Sequence, residues 1–392
     1  MGPRRSKGID DDAARWTRGA GNLVPPPGLM NCAKLDRRGS LKDHPAHAHR
    51  RSASQIAGFL RMKRRHMRRV DGQPLLIKIC MLTFRRPAGL ADALCGLQAQ
   101  VFGSGPRPEI SIVIVDNNHV PYAAAIAQTC VPDFPWRLST VHEPKPGIAR
   151  ARNRALDADP VDVDFIVFMD DDEVPANDWI ARLIEAQKTS GAAVVAGPVK
   201  PVYPPHTPAW IKKGRFFESA DKDDGATITG AATGNVMIAS HAVAADDVRF
   251  DERLQTIGGE DTVFFNDLHR AGHHMIWAAR AVVWERLDLR RARTAWLMKR
   301  WMAYGLSYKI MLEREQPAPA VTRYLLLKGL QRCLVGMLTF PPAAVLGLVL
   351  GWHIAVKRLK PLCRGVSMVL SVFNLYIGED KLHGYKTDYR NL

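Results

Sequence analysis

Asp164-Phe165-Ile166-Val167-Phe168-Met169-Asp170-Asp171-Asp172-Glu173 sets a strand-length apolar run directly against four carboxylates. An uninterrupted apolar run suits a strand covered on both faces, as in a parallel sheet flanked by helices. The acids then fall at its carboxyl end, where open α/β sheets bind ligands. Packing requires no such cluster. Neighbouring carboxylates repel one another and hard oxygen ligands suit Mg²⁺ or Mn²⁺, so a divalent cation holding a diphosphate would relieve the repulsion. The simpler alternative is a solvated acidic loop capping a helix that begins near Asn177.

Strands and helices alternate on both sides of this stretch. Leu75 to Met81 reads as a first strand, followed by a turn at Thr83-Phe84-Arg85-Arg86-Pro87 and a helix with Leu90, Leu94, Leu97 and Val101 on one face. Ile110 to Val115 reads as a second strand ending at Asp116-Asn117-Asn118, and a short third strand is expected near Arg137 to Val141. A helix from Gly147 then leads to the opening stretch. This order predicts an α/β fold with a parallel βαβ sheet. Beyond the acids, Trp179, Ile180, Leu183 and Ile184 mark an amphipathic helix closed by Gly191, and Ala192 to Gly197 suggests another strand. The proline-rich loop that follows (Pro198, Pro201, Pro204, Pro205, Pro208, with Trp210) either lines a pocket or makes a rigid surface connection. Thr233-Gly234-Asn235 precedes the apolar run Val236-Met237-Ile238, and Gly258-Gly259-Glu260-Asp261 opens a helix carrying Val263, Phe264 and Leu268.

The 392 residues carry a net charge of +16, with apolar content of 46% that is enough for a proper core. Residues 1 to 70 hold 17 Lys/Arg against 5 Asp/Glu, which leaves the body only weakly basic. The body therefore has no charge reason to bind nucleic acid, and none is expected as a partner. Residues 1–72 have too few aliphatic side chains to offset the entropy of ordering, so they are expected to form a disordered basic arm. Such an arm suits anionic lipid, or the chain starts at Met62 or Met67. Six scattered cysteines without CxxC spacing argue against zinc and for a reducing compartment. The N-terminal stretch has no continuous apolar signal-peptide core, so the body is expected to face the cytoplasm.

Leu334 to Val356 contains 23 residues without Lys, Arg, Asp or Glu. As a helix this is about 35 Å long, enough to cross a bilayer. Pro341-Pro342 should interrupt it, and basic residues flank both ends. A re-entrant or in-plane hairpin is therefore expected rather than a simple span, with Val366 to Ile377 at the interface. These features are expected to divide the chain into residues 1–72, an α/β domain at 73–310, and a membrane-associated helical region at 311–392.

Ile79 to Arg86, Val115-Asp116-Asn117, Gly147-Ile148-Ala149-Arg150-Ala151-Arg152-Asn153, Asp170-Asp171-Asp172-Glu173, Thr233-Gly234-Asn235 and Gly259-Glu260-Asp261 occur in one order and spacing. Over residues 75 to 310 this resembles family 2 glycosyltransferases, particularly bacterial exopolysaccharide enzymes of the succinoglycan type. The resemblance implies a GT-A fold, Rossmann-like with a mostly parallel sheet. It also implies a UDP-sugar donor, a Mg²⁺ or Mn²⁺ cofactor, and inversion at the anomeric carbon by direct displacement. On that mapping Thr83 and Arg85 contact the nucleotide and Asp116 accepts a hydrogen bond from uracil. Gly147 allows close backbone approach, while Arg152, Asn153 and Asp170 attend the donor. Asp172 is the metal ligand implied by the DxD element, and Glu285 stands where family members often place a histidine ligand. Asp261 is the implied general base, kept ionised by its helix N-terminus, and Glu260 orients acceptor or loop. Asn235 and Arg300 are assigned to acceptor or diphosphate.

Plainer roles remain open for several of these residues. Thr83 can shape a turn, Asp116 can cap the next helix, and Glu260 and Asp261 can simply complement a helix dipole. Arg150, Arg152 and Arg154 alternate, so on a helix they cannot all face one way. Leu297-Met298-Lys299-Arg300-Trp301 is similar to the QxxRW motif of processive members, with leucine in place of glutamine, so one sugar per acceptor is expected. The apolar C-terminal region points to a lipid-linked saccharide acceptor at the cytoplasmic face of the cell membrane. Two other classes compete. A metal-dependent nucleotidyltransferase would need a Gly-rich, Lys-bearing loop after the first strand. A non-enzymatic nucleic-acid binder would act through the basic arm.

Overall fold

The computed structural model describes residues 73–375, apart from 105, 131–133, 161 and 255–257. The expected basic arm at 1–72 lies outside the described residues. β1 (Leu76–Thr83), α1 (Pro87–Gln98), β2 (Glu109–Asp116), α2 (Ala123–Cys130), β3 (Arg137–His142), α3 (Ile148–Asp157) and β4 (Phe165–Asp170) alternate as the sequence predicts. After them come β5 (Glu173–Pro175), α4 (Trp179–Ser190), β6 (Val194–Ala196), β7 (Val199–Val202), α5 (Ala209–Gly214) and β8 (Asn235–Ala239). α6 (Ser240–Ala245), α7 (Glu260–Arg270), β9 (Met275–Trp277) and β10 (Val283–Arg286) complete the α/β part.

Seven strands form the main sheet in the order β3-β2-β1-β4-β8-β6-β9. Its pairings are parallel except at β8, which runs antiparallel to β4 and β6. Alternation along β1 decides which face each residue serves. Ile77, Ile79 and Met81 join Leu90, Leu94 and Leu97 of α1 and Trp179, Ile180 and Leu183 of α4 in one core. Cys80 joins Ala151 and Ala155 of α3 and Phe264, Phe265 and Leu268 of α7 in the other. Each such fully buried aliphatic or aromatic side chain contributes roughly 1.5–3 kcal/mol. Lys78 is buried on this second face, where Nζ donates to the carbonyls of Ala155, Leu156 and Ala158 and so closes the carboxyl end of α3. Burial lowers its pKa.

A second sheet, β5-β10-β7, is not anticipated by the sequence. Its strands are short and β7 contains Pro201, so no alternation betrays them. Pairing of β10 with β5 sets Glu285 opposite Glu173, which carries Glu285 to the acidic cluster.

The carboxyl-terminal part is helical: α8 (Thr294–Met302), α9 (Tyr304–Glu313), α10 (Ala318–Leu350) and α11 (His353–Val372). α10 runs through Pro341-Pro342 without breaking, contrary to expectation. The two prolines are exposed, while Gly336, Ala343 and Gly347 on the buried side pack under α11. A Cβ at Gly336 would lie 2.6 Å from Leu362 Cβ, and one at Gly365 would lie 2.6 Å from the Gly329 carbonyl. The partner helix thus holds the segments before and after the prolines in line. The chain then turns at Gly351, so the expected hairpin is a pair of helices. Val356, Leu359 and Cys363 of α11 share a core with Ile211, Leu287, Trp296, Leu297 and Trp301, which crosses the boundary expected at residue 310. α10 is long and apolar enough to cross a membrane by length and composition, with a mean hydropathy of 2.1 in its most apolar stretch. Cys80, Cys95, Cys333 and Cys363 are free thiols.

Candidate functional site

The acidic cluster begins where β4 stops. Asp170 is half exposed, and its N–H donates to Glu173 Oε2 at 2.9 Å. Asp171 is buried and accepts from Thr83 Oγ1 at 2.7 Å and from Arg86 Nη1 at 3.1 Å. Burial raises its pKa against the pull of Arg86 and Thr83. Asp172 pairs with the same Arg86 Nη1 at 2.9 Å. Burial, opposed by Arg86 and aided by repulsion from Glu285, Asp170 and Asp171, pushes the Asp172 carboxyl up to about 7. Glu173 is buried and, through burial and Asp170, lies well above the usual carboxylate range. Gly234 permits this packing, because a Cβ there would strike Glu173 Oε1.

Arg152 joins this cluster to the second acidic motif. α3 starts at Gly147, whose φ of 147° favours glycine and whose N–H donates to Asn117 Oδ1 at 3.0 Å. One turn on, Arg152 projects into the protein and is only 3% exposed. Its Nη1 bonds Glu260 Oε1, and its Nη2 stands 3.8 Å from Asp170 Oδ1. Burial disfavours its charge, yet Glu260, Asp170 and Asp261 together raise its pKa. Arg152 Nε is buried with no hydrogen-bond partner. Gly259, at φ 86°, turns the chain into α7, whose first residues are Glu260 and Asp261. Asp261 Oδ1 accepts from Thr262 N–H at 2.6 Å. Burial raises its pKa against the lowering effect of Arg152, so the helix end does not dominate as the sequence suggests.

The sheet therefore brings Thr83, Gly147, Arg152, Asp170, Asp172, Glu260, Asp261 and Glu285 to one end of the fold. Other expected residues are engaged differently. Both oxygens of Asp116 are used internally: Oδ2 accepts from the N–H groups of Tyr122 and Ala123 at 2.6 and 2.7 Å, and Oδ1 accepts from Asn118. The capping alternative thus describes it, since four donors fill a carboxylate's acceptor sites. Asn153 exchanges two hydrogen bonds of 2.9 Å with the Phe250 backbone and pins α3 to the segment before α7. Asn235 is buried, donating to Pro198 and Ala281 carbonyls and accepting from Trp179 Nε1, so it joins the two sheets. Arg85 adopts φ 57°, and its guanidinium lies over Phe84. Arg300 is exposed over Trp296 with Cζ 5.4 Å from the ring centroid. Trp301 packs in the core.

The family model for glycosyl transferase family 2 matches residues 78–244. A succinoglycan biosynthesis protein, ExoM, of Rhizobium meliloti (strain 1021) is 35% identical over 243 residues, covering 62% of this chain and 77% of that protein. The chain belongs to glycosyl transferase family 2. Among solved structures, S. aureus TarS 1-349 in complex with UDP covers 77% of this chain and 93% of its own at 12% identity, with a TM-score of 0.43. The mannosyltransferase PcManGT from Pyrobaculum calidifontis, in complex with GDP-Man and Mn²⁺, covers 82% and 84% at 16% identity and a TM-score of 0.47.

Sequence reasoning about this glycosyltransferase missed Arg86, which holds two of the acids. The signal was present in Arg85-Arg86. The left-handed turn at Arg85 sends its neighbour to the carboxylates, and a dihedral angle cannot be read from composition. Tyr122 was also missed; its hydroxyl meets Thr83 Oγ1 at 2.7 Å and accepts from the Arg86 N–H at 2.8 Å. Arg291 pairs with Glu285. The proline-rich loop does line a cavity, of about 410 Å³, formed by Pro198, Lys200, Pro201, Tyr203, Trp277 and Trp284.

Among the described residues, no three of His, Cys, Asp and Glu converge on one metal position. The donor chemistry nevertheless suits a hard cation. Asp172 is held near 7 partly by facing Glu285 and Asp170, and positive charge there removes that repulsion. Mg²⁺ in phosphate sites is commonly held by one or two carboxylates and completed by substrate phosphates. Asp172 and Asp170 supply that number, with Arg86 as the competing cation.

Proposed function

We propose that this glycosyltransferase inverts configuration while moving a sugar from a UDP-sugar to a lipid-linked saccharide, on the cytoplasmic side of the cell membrane. The observation that carries this reading is the placement of Arg152, buried between Asp170 and Glu260, which draws the DxD element and the start of α7 into one site. Asp261, next to Glu260, takes the proton from the acceptor hydroxyl as the new bond to the anomeric carbon forms. Its raised pKa moves it toward neutrality, which improves a general base. Arg152 sets the position of Asp170 and Glu260. Thr83 and Arg86 fix Asp171, so the acidic loop presents Asp172 and Asp170 in register. A divalent cation held by Asp172 and Asp170 would neutralise charge on the departing diphosphate. The lipid-linked acceptor is supported by the exposed apolar face of α10, where Leu348 and Val349 are 82% and 86% exposed.

The test is UDP release by membrane-containing preparations of the full chain, screened over UDP-sugars with Mn²⁺ or Mg²⁺, for wild type, Asp172→Ala and Asp261→Asn. Metal-dependent release lost in both variants, with donor still bound by Asp261→Asn, supports the assignment. Release of pyrophosphate instead of UDP would mean nucleotidyl transfer. Release that neither substitution changes would remove both acids from the mechanism.

A further inference from the structure

Four cations gather where α8, α9, α10 and α11 meet. Arg332 of α10 and Arg364 of α11 both lie over the Tyr304 ring of α9, with Cζ 5.8 and 4.4 Å from its centroid. Lys360, one turn before Arg364, is within electrostatic reach of Arg364 and of Arg300 on α8. Among the described residues none of the four pairs with an aspartate or glutamate. Arginines elsewhere on the surface, such as Arg182 and Arg314, do. Arg364 Nε is buried with no hydrogen-bond partner. Like charges held together without compensation, one with an unused buried donor, suit an anion that supplies both charge and acceptor oxygens.

The surroundings specify the anion. On α10 the residues flanking Arg332 include Leu327, Leu330, Leu334 and Leu338, all exposed, which suit a hydrocarbon chain rather than water. On the other side Trp296 and Arg291 link the cluster to Glu285 of the acidic site. Arg300 and Arg291 both lie over Trp296, at 5.4 and 5.3 Å, and Arg291 pairs with Glu285. Ser307, one turn after Tyr304, abuts Gly259, where a Cβ would come within 2.6 Å of Ser307 Cβ. The cations are thus lodged between an apolar surface and the start of α7.

We propose that Arg300, Arg332, Lys360 and Arg364 bind the diphosphate that joins a polyprenyl chain to the acceptor saccharide, an inference that rests on the transferase reading above. The polyprenyl chain runs along the exposed face of α10, and the sugar end is directed toward Asp261. Arginine and lysine divide the work: the guanidinium forks of Arg332 and Arg364 fit phosphate oxygens, and Lys360 adds a point charge at the exposed rim.

The experiment uses the full chain and phosphatidylcholine vesicles carrying farnesyl diphosphate, a short polyprenyl diphosphate. Control arms are vesicles with farnesol, vesicles of matched charge with phosphatidylglycerol, and inorganic pyrophosphate free in solution. Wild type should bind farnesyl diphosphate vesicles about tenfold or more tightly than any control. The double variant Lys360→Gln/Arg364→Gln should lose about tenfold of that affinity, the order expected for charge-assisted hydrogen bonds. Its UDP binding and thermal midpoint should match wild type, and Arg364→Lys should recover part of the loss. Unchanged binding by a folded double variant overturns the site. Equal wild-type binding to phosphatidylglycerol overturns it in favour of a general anionic surface, and equal binding of free pyrophosphate overturns the lipid source. If no UDP-sugar is turned over while the double variant still loses farnesyl diphosphate, the transferase reading fails and the site stands. Turnover with unchanged lipid binding removes the site alone.

Discussion

Replacing Arg152 with methionine should destabilise the fold by about 3–5 kcal/mol, the cost of breaking a buried ion pair by removing one partner. The magnitude follows from burial, because the Arg152 and Glu260 side chains are 4% and 6% exposed. Without the guanidinium, Glu260 keeps a carboxylate away from water and has lost its counter-charge. The 3.8 Å contact to Asp170 adds little, since that side chain is 42% exposed and screened by solvent. Glu260→Met should be comparably costly. The double variant should be more stable than either single one, because paired apolar side chains leave no stranded charge. Urea unfolding followed by tryptophan fluorescence measures all three, and the cycle should return a coupling of about 3 kcal/mol. Additivity within about 0.5 kcal/mol would refute the reasoning. UDP release should be lost in every member of the cycle, including the double variant with restored stability. That result would separate the pair's part in folding from its part in holding Asp170 and Asp261 in register.

Asp261→Asn should lower turnover by about 10²–10⁴-fold with donor affinity unchanged, the range for a general base. In wild type the rate should fall with decreasing pH through a value above the ordinary Asp pKa of about 3.9, because burial raises this carboxyl, and the acid limb should vanish in the Asn variant. Asp172 lies at about 7 in the fold, so between roughly 4 and 7 the native state binds more protons than the unfolded chain and stability falls as pH rises. Asp172→Asn should flatten that slope, and Mn²⁺ should raise the thermal midpoint more at about pH 8 than at about pH 5; an equal response at both would dissociate the cation from Asp172. Gly234→Ala should cost about 1–3 kcal/mol by forcing a methyl group onto the Glu173 carboxyl, read as a lower urea midpoint.

The sequence made the main sheet legible because β1, β2 and β4 are long apolar runs, each ending in polar residues. The acids after β4 were equally legible, whereas the acid that ends β2, Asp116, proved to be a backbone cap. The small sheet was hidden, since β5 and β7 are three and four residues long and find β10 only through the tertiary fold. Glu285 could be singled out by position, but its pairing with Arg291 depends on that sheet. Asp116, Asn153 and Asn235 show a different limit. An amide or carboxylate near a strand end suits a ligand or a backbone staple equally well, and only the partner atoms decide between them. The proline pair in α10 was misleading for an opposite reason: local propensity argued for a break, and close packing against α11 overrode it.

Compensation of charge differs among the polar clusters of this molecule. In the core the fold supplies buried cations with partners of its own: Arg152 finds Glu260, and Lys78 finds three carbonyls. Around Asp172 compensation is partial, for Arg86 faces Asp171 and Asp172 with Glu285 and Asp170 close by, and the carboxyl remains near 7. Around Tyr304 the excess is positive and has no carboxylate among the described residues. Placed side by side, these clusters would neutralise one another and the fold would gain stability. Instead Arg291 and Trp296 stand between them, so each excess persists until a ligand of opposite charge arrives. The proposed transfer from a nucleotide-bound sugar to a diphosphate-bound one calls for such a separation, because both substrates would bring anionic groups while the reacting carbon and hydroxyl must meet midway.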